Sequence, residues 1–474
     1  MSKLSEALYS YQKDVDVPFL LSHSRNINGN IMGAGKTIES LAVLEALNKR
    51  HNLIVAKKRF IPEWFWQIEK WLGEGTLTPN ENGDRLDGLD LSGPRFVAVN
   101  YDLLSVPRYF QALRKVGWDS ITYDECHKLK NHETKRTRNA YQVSMRVPYI
   151  SLVSGTPMQN SPADYFPYFH IIDPVKYSSY RDWTNYFCVW DEEEIWMKNS
   201  FGKPQSRIIR RIVPGETNHT KELGALLSLY MIRHERSEIF TQLPPKQYRQ
   251  VPIELGAELK QYRQMEQEYF AILDSGEEIT APKAIAQMMR LRQVCCEPNL
   301  MSNELDPKPL TPSAKTATLL ELIEDLEGKV VIFSYFEGYI RALCSELSKR
   351  KIRYVTLTGK TKYAGQDRLF QSDPGIKVCL GTIGAMGESY TLSEAETVVF
   401  CDLWWNPAIN EQCEDRVYGR VDKGLDIKRG ALIIDLYCQN TVEEHVHEVV
   451  RNKTDMINET LIAREVAVRM RRTK

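Results

Sequence analysis

Several things are scarce in this sequence, and each scarcity excludes something. None of the nine cysteines forms a C-x-x-C pair, and apart from adjacent Cys295 and Cys296 they lie far apart. Such spacing points to reduced, intracellular thiols and away from a zinc ribbon or a disulfide framework. His445 and His447 stand two apart on a predicted helix, where side chains face different ways, so they do not read as a metal pair. No apolar run approaches the ~18 residues of a membrane span, and there is no signal-peptide apolar region. The expectation is therefore a cytoplasmic protein, in the host cytoplasm if viral, with no membrane partner. Net charge is missing too, with 62 Lys and Arg against 62 Asp and Glu. Any nucleic acid has to be held by a local basic surface, because bulk charge offers no attraction. Repeats and low-complexity tracts are absent.

What is present is a chain of 474 residues, 42% hydrophobic and 26% charged, long enough for two domains. Short Val/Ile/Leu-rich runs alternate with helical patterns. The first series includes "NLIVA" (52–56), "RFVAVN" (95–100), "SITYDE" (120–125) and "YISLVSG" (149–155); the second includes "KVVIFSYF" (329–336), "RYVTLTG" (353–359), "KVCLGTIGA" (377–385), "TVVFCDL" (397–403) and "ALIIDLY" (431–437). Near-continuous apolar runs of this kind predict parallel strands covered on both faces, hence an α/β chain with two parallel-sheet domains. Residues 164–240 change character, aromatic and charged around "DWTNYFCVWDEEEIW", while 256–295 carry apolar spacing near 3.6 and read as helices. The basic end "REVAVRMRRTK" reads either as a solvated helix face or as a phosphate contact.

The stretch "NGNIMGAGKTIES" (28–40) ends like a phosphate-binding loop and begins unlike one. The pattern G-x-x-x-x-G-K-[ST] asks for a leading glycine where this chain has Asn30. The residues before it, "SHSRNIN", are polar where a buried strand is usually apolar. Gly33, Ala34 and Gly35 can bring backbone N–H groups onto phosphate oxygens. Lys36 can reach the terminal phosphates, and Thr37 can place its hydroxyl on Mg²⁺. Alone, the loop leaves open a working site, a decayed one or a chance match.

Its companion is "ITYDECHKLKN" (121–131), an apolar strand ending in adjacent carboxylates, Asp124 and Glu125. At a strand's carboxyl end the first can hold the Mg²⁺ shell and the second can orient or deprotonate a water, which phosphoanhydride hydrolysis requires. The alternative is an acidic turn with no chemistry.

"DECH" is a form of the acid box of superfamily 2 helicases and translocases. "SLVSGTPMQNSPADYFPYFHIIDP" (151–174), "LPPK" (243–246), "LRQVCCEPNL" (291–300) and "DLWWNPAINEQCEDRVYGRVDKG" (402–424) resemble segments of the Swi/Snf-type branch, and "YSYQKD" (9–14) resembles the start of its motor. The resemblance runs in order from residue 9 to about 460. It implies two RecA-like lobes, 1–240 with a helical and aromatic insertion at about 164–240, and 241–474 with a helical insertion at about 256–295. It also implies an ATP-dependent DNA translocase of a minimal, phage- or bacterial-like kind, with ATP and Mg²⁺ bound between the lobes. The DNA, duplex or branched, would be held by its backbone without strong sequence preference, and a loading partner is left open. A branched-DNA helicase and a non-catalytic, nucleotide-gated clamp are the competing readings.

Residue by residue, the resemblance places Gln12 like an adenine-reading glutamine and Thr156 and Gln412 in coupling between nucleotide and DNA. It makes Arg416 and Arg420 candidate arginine fingers, although the family's "DRxHRxGQ" spacing is here "DRVYGRVDK". Gly387 matches the first glycine of "GxGLNL", and Ser389 replaces the second. Strand-end residues Lys57, Asn100, Tyr101, Lys128, Lys130, Lys360, Thr382 and Trp405 are candidate DNA contacts, although at least one of Trp404 and Trp405 is expected in the core. In that branch the loop often opens on Asp, so Asn30 costs no phosphate donor but leaves its flanking hydrogen bonds to be found.

Overall fold

Alternating apolar residues on a parallel strand serve two faces at once, and the first sheet is built on that rule. A computed structural model describes residues 3–31, 33–77, 95–158, 160–198, 204–234, 236–239, 246–274, 281–298, 312–359, 365–386, 390, 392–418 and 430–452. The chain divides into two units, Met1–Thr241 and Gln242–Lys474.

In the first unit, β1 (Arg25–Asn28), β2 (Asn52–Ala56), β3 (Thr76–Leu77), β4 (Phe96–Asn100), β5 (Ser120–Asp124), β6 (Tyr149–Val153) and β9 (Met231–Ile232) form a seven-stranded sheet in the order β3-β4-β2-β5-β6-β1-β9. Every pairing is parallel. Ile54 and Ala56 of β2, with Phe96 and Ala98 of β4, pack against Leu41 and Leu44 of α1 (Lys36–Leu47) and Trp64 and Ile68 of α2 (Ile61–Leu72). Leu53, Val55, Val97 and Val99 face the other way, toward Ala140 and Val143 of α3 (Lys135–Ser144) and Phe169 of α4 (Phe166–Ile172). Each such buried Val, Leu or Ile contributes roughly 1.5–3 kcal/mol by leaving water.

The polar strand β1 belongs in this core because its side chains are satisfied there. Asn26 Nδ2 donates to Leu20 O (3.2 Å), His23 O (2.8 Å) and Tyr149 Oη (2.9 Å), and its Oδ1 accepts from Ser151 Oγ (2.9 Å). Buried amides with every arm occupied cost little, and they fix the register that an apolar strand would leave to shape alone.

The 164–240 stretch differs from a helical insertion. Its aromatic helices α4 and α5 (Tyr180–Phe187) are core elements, with Phe169 and Trp183 packed at 4.9 Å between ring centres. Its centre is an antiparallel ribbon, β7 (Cys188–Lys198) on β8 (Pro204–Thr217), which forms a sheet of its own. Cross-strand opposites pair by charge, Asp191 with Arg211 and Glu192 with Arg210, the latter an ion pair at 3.0 Å. After α6 (Thr220–Ser228), β9 returns to the edge of the main sheet.

The second unit holds a parallel six-stranded sheet, β10 (Gln247–Ile253), β11 (Lys329–Ser334), β12 (Tyr354–Leu357), β13 (Val378–Thr382), β14 (Ala395–Phe400) and β15 (Leu432–Cys438), in the order β10-β15-β14-β11-β13-β12. Helices α7 (Leu259–Asp274) and α8 (Ala281–Cys296) occupy the region 256–295. Met288, Leu291, Val294 and Cys295 of α8 join the core shared by Val331, Phe333 and Val399. Around the sheet lie α9 (Ala314–Asp325), α10 (Glu337–Lys349), α11 (Pro407–Glu414) and α12 (Val442–Asn452). All nine cysteines are free thiols. Among the described residues no helix is long and apolar enough to cross a membrane.

Candidate active site

The loop between β1 and α1 turns on two glycines in the left-handed region, Gly33 (φ 84°) and Gly35 (φ 82°). At Gly35 a Cβ would stand 2.5 Å from Gln12 Nε2, so both conformation and space demand glycine. Helix α1 starts immediately afterwards, and its first amides are ready donors for an anion. Lys36 Nζ donates to the carbonyls of Asn30 (2.8 Å) and Ile31 (2.9 Å), folded back along the loop.

Beneath the loop lies a buried polar cluster that accounts for the absent leading glycine. Asn30 Nδ2 donates to Asp16 Oδ2 (2.7 Å) and Glu39 Oε2 (3.3 Å), and its Oδ1 accepts from His234 N (3.0 Å). Asn28 Nδ2 donates to Glu39 Oε2 (2.7 Å), and His234 Nε2 lies 2.7 Å from Asp16 Oδ1. Burial, with the Asp16 charge beside it, pushes Glu39 up to about 8. Asn30 is thus a junction holding the loop to helix α1 and to the segment after β9. Asp16, Glu39 and His234 went unnoticed in the sequence, where no spacing links residues so far apart.

Gln12, which the resemblance places as an adenine reader, is bonded to the loop. It is fully buried, its Nε2 donates to Ala34 O (2.7 Å) and Glu39 Oε1 (3.0 Å), and its Oε1 accepts from Tyr9 N (2.9 Å). Through these bonds Gln12 braces Ala34.

The acid pair stands at the end of β5. Trp64 Nε1 donates to Asp124 Oδ2 (2.8 Å), and Tyr101 Oη donates to the Asp124 carbonyl (2.8 Å). Glu125 adopts φ 54°, and its Oε2 lies 3.1 Å from His127 Nδ1. Burial and the neighbouring Glu125 charge raise Asp124 to about 6, against the pull of Trp64, Lys36 and Lys57. Burial also works to raise Glu125, but the hydrogen bond and charge of His127, with Lys57 and Lys36, outweigh it and hold Glu125 below the ordinary carboxylate range. Two adjacent carboxyls are thereby driven apart, leaving Glu125 the firmly ionised one. Lys36 of the loop acts on both carboxyls.

His127 leads onward. Its Nδ1 lies 3.3 Å from Ser154 Oγ, which accepts from Thr156 N (3.2 Å). The Thr156 hydroxyl is buried without a hydrogen-bond partner among the described residues. A short path therefore joins Glu125 to the "SGTP" segment. His127 and Ser154 sat inside quoted motifs, but nothing in the sequence marked them as linked.

Asp124 and Thr37 are the oxygen donors that the first unit offers a cation at these strand ends. Among the described residues no donor is bonded to Asp124 Oδ1 or to the Thr37 hydroxyl, and hard oxygen ligands of this kind suit Mg²⁺.

Several candidate DNA contacts are buried. Asn100 is buried, its Oδ1 capping Asp102 N (3.0 Å) and Leu103 N (3.3 Å). Tyr101 is buried by its bond to Asp124. Trp405 is 2% exposed with the Arg292 guanidinium over its ring at 4.8 Å, so it is the core member of the tryptophan pair. Lys128 is exposed, and Lys57, Lys130 and Thr382 are partly exposed. In the second unit Gln412 lies on α11, and Arg416, two residues beyond that helix, is 6% exposed. Lys360, Gly387, Ser389 and Arg420 lie outside the described residues.

A parallel sheet with a glycine loop and lysine at one strand end and an acid pair at another defines a P-loop nucleoside triphosphatase. A family profile described as SNF2-related domain matches residues 11–300, and one described as helicase conserved C-terminal domain matches 314–421. The chain belongs to the SNF2-related family of ATP-hydrolysing helicases, and its two parallel-sheet units are RecA-like lobes. It is 26% identical over 429 residues to the human "DNA annealing helicase and endonuclease ZRANB3", covering 88% of this chain and 37% of that one. It is 26% identical over 475 residues to the Xenopus laevis "SWI/SNF-related matrix-associated actin-dependent regulator of chromatin subfamily A-like protein 1", covering 97% and 44%. The chain thus spans less than half the length of these relatives. A solved structure, the Sulfolobus solfataricus SWI2/SNF2 ATPase core in complex with dsDNA, aligns with TM-score 0.44 and 20% identity over 97% of this chain and 94% of that one.

Proposed function

We propose that the chain is a DNA-dependent ATPase that moves along duplex DNA. The observation that carries this reading is the convergence in the first unit of Lys36, Asp124 and Glu125, with the path from Glu125 through His127 and Ser154 to Thr156. Lys36 exchanges its two carbonyl acceptors for phosphate oxygens. Thr37 and Asp124 would hold Mg²⁺, which would neutralise charge on the phosphates. Glu125, held ionised and oriented by His127, orients the attacking water by accepting its hydrogen bond. A change in the Glu125–His127 contact reaches Thr156 in two further hydrogen-bond steps.

DNA is held through its backbone, with exposed Lys128 and neighbouring Lys57 and Lys130 as contacts. A second reading, remodelling of branched DNA, is favoured by the human relative's name, a DNA annealing helicase. Steady-state ATP hydrolysis with duplex, single-stranded and forked DNA separates these. Stimulation by duplex at least equal to that by single strands supports the first reading, and a marked excess with forks supports the second. Strong preference for single strands overturns duplex tracking. No turnover with any DNA leaves a nucleotide-gated clamp.

A further inference from the structure

Strand β9 and the two residues after it touch the phosphate loop at more points than an edge strand of two residues needs. Ile232 O accepts from Gly29 N (2.9 Å), and Arg233 Nη1 donates to Gly29 O (3.2 Å), so both backbone groups of Gly29 are engaged. A Cβ at position 29 would stand 2.8 Å from Met231 Sδ, so glycine permits this approach. His234 N donates to Asn30 Oδ1 (3.0 Å), one residue further along the loop. The Arg233 nitrogen that meets Gly29 also lies 3.5 Å from the carbonyl oxygen of Gly155, between Ser154 and Thr156. Beneath it the backbone already joins the two strands, Ser154 N donating to Asn28 O (3.0 Å). Arg233 carries that join past the ends of β1 and β6, where an α/β sheet binds its ligands.

We propose that Arg233 is a positioning residue that ties the "SGTP" segment to the phosphate loop. The path from Glu125 through His127 and Ser154 then does not stop at Thr156: it returns through Gly155 and Arg233 to Gly29. The next carbonyl along, that of Asn30, is the one Lys36 holds at 2.8 Å, so Lys36 leaving it for a phosphate alters the loop beside the clasp. An arginine suits the task because its charge is permanent and one of its nitrogens serves two carbonyls. The role rests on reading the Glu125–Thr156 path as coupling between hydrolysis and DNA.

The test is ATP hydrolysis, with and without duplex DNA, by the full chain carrying Arg233→Met, Arg233→Lys and the Arg233→Met/Ser154→Ala pair. Arg233→Met is expected to lower the DNA-stimulated kcat about tenfold and the rate without DNA about twofold. Arg233→Lys, which keeps a charged nitrogen, should recover most of the difference. The double variant should show no weaker stimulation by DNA than the weaker single variant, because both interrupt one path. Equal losses with and without DNA would reduce Arg233 to a staple of the sheet edge, and losses that multiply would place it off the path; either overturns the proposal. Should Arg233→Met not fold, Arg233→Gln keeps a donor without the charge and is expected to weaken stimulation about two- to fivefold, and unchanged stimulation overturns the proposal. Amide hydrogen exchange of the parent, with and without a non-hydrolysable ATP analogue and Mg²⁺, reads the clasp without turnover. Exchange slowed at 154–156 and 232–234 together with 29–36 supports it, and slowing confined to 29–36 overturns it. A parent whose hydrolysis ignores DNA instead overturns the coupling reading, and the role of Arg233 with it.

Discussion

His127 Nδ1 lies 3.1 Å from Glu125 Oε2, and this contact orients a strand-end acid and holds it ionised. The same nitrogen lies 3.3 Å from Ser154 Oγ, so hydrolysis and its consequences share one side chain. His127→Ala is expected to lower DNA-stimulated kcat about tenfold, the loss of one hydrogen bond to a charged group. Ser154→Ala, which leaves Glu125 and His127 in place, should reduce the stimulation by DNA more than the rate without DNA. Comparing the two rates for each variant checks the path. Equal effects of Ser154→Ala on both rates would show that it carries no coupling.

Writing the missing glycine into the loop should harm it. Asn30→Gly removes hydrogen bonds to Asp16, Glu39 and His234 and strands buried acceptors. A loss of ~2–4 kcal/mol is expected, read by denaturant unfolding, with weaker ATP binding beside it. An Asn30→Gly protein as stable as the parent would remove the junction from the account.

Gly35 faces two constraints that can be separated. Gly35→Ala meets both the φ of 82° and the close approach of Gln12, and should cost ~1–3 kcal/mol and abolish nucleotide binding. Adding Gln12→Ala relieves the contact but not the dihedral, so the double variant is expected to regain only part of the stability. Full recovery would assign the whole constraint to Gln12.

Acid should strike the second unit through Asp435. Burial works to raise its pKa, but hydrogen bonds from His447 and Arg451 outweigh this and hold it below the ordinary carboxylate range. A depressed carboxyl contributes stability that is fully present above its unfolded pKa, ordinarily about 4, and is lost as pH falls through the folded value. Unfolding free energy measured between pH 6 and the acid limit should therefore decline below pH ~4. Asp435→Asn should lower stability at pH 6 and flatten that decline. An unchanged acid limb would contradict the assignment.

The parallel strands were legible because β-branched runs such as "NLIVA" announce themselves, and Lys36, Asp124 and Glu125 because loop and acid box are contiguous motifs. What was illegible was long-range. Asn26 and Asn28 look wrong for a buried strand until Tyr149, Ser151 and Glu39 supply their partners. Gln12 fits a base-reading motif, but its amide is taken by Ala34 and Glu39. The ribbon at β7 and β8 was hidden by aromatic and charged composition, since its order comes from cross-strand pairing and not from local propensity.

The central claim is that Lys36 and Glu125 work in one ATP-hydrolysing site whose turnover answers to DNA. Phosphate release from ATP with saturating duplex DNA, for the parent, Lys36→Ala and Glu125→Gln, tests it most directly. The account predicts DNA-stimulated turnover in the parent, none in either variant, and retained ATP binding by Glu125→Gln. Turnover by Glu125→Gln at the parental rate, or a parent indifferent to DNA, would contradict it.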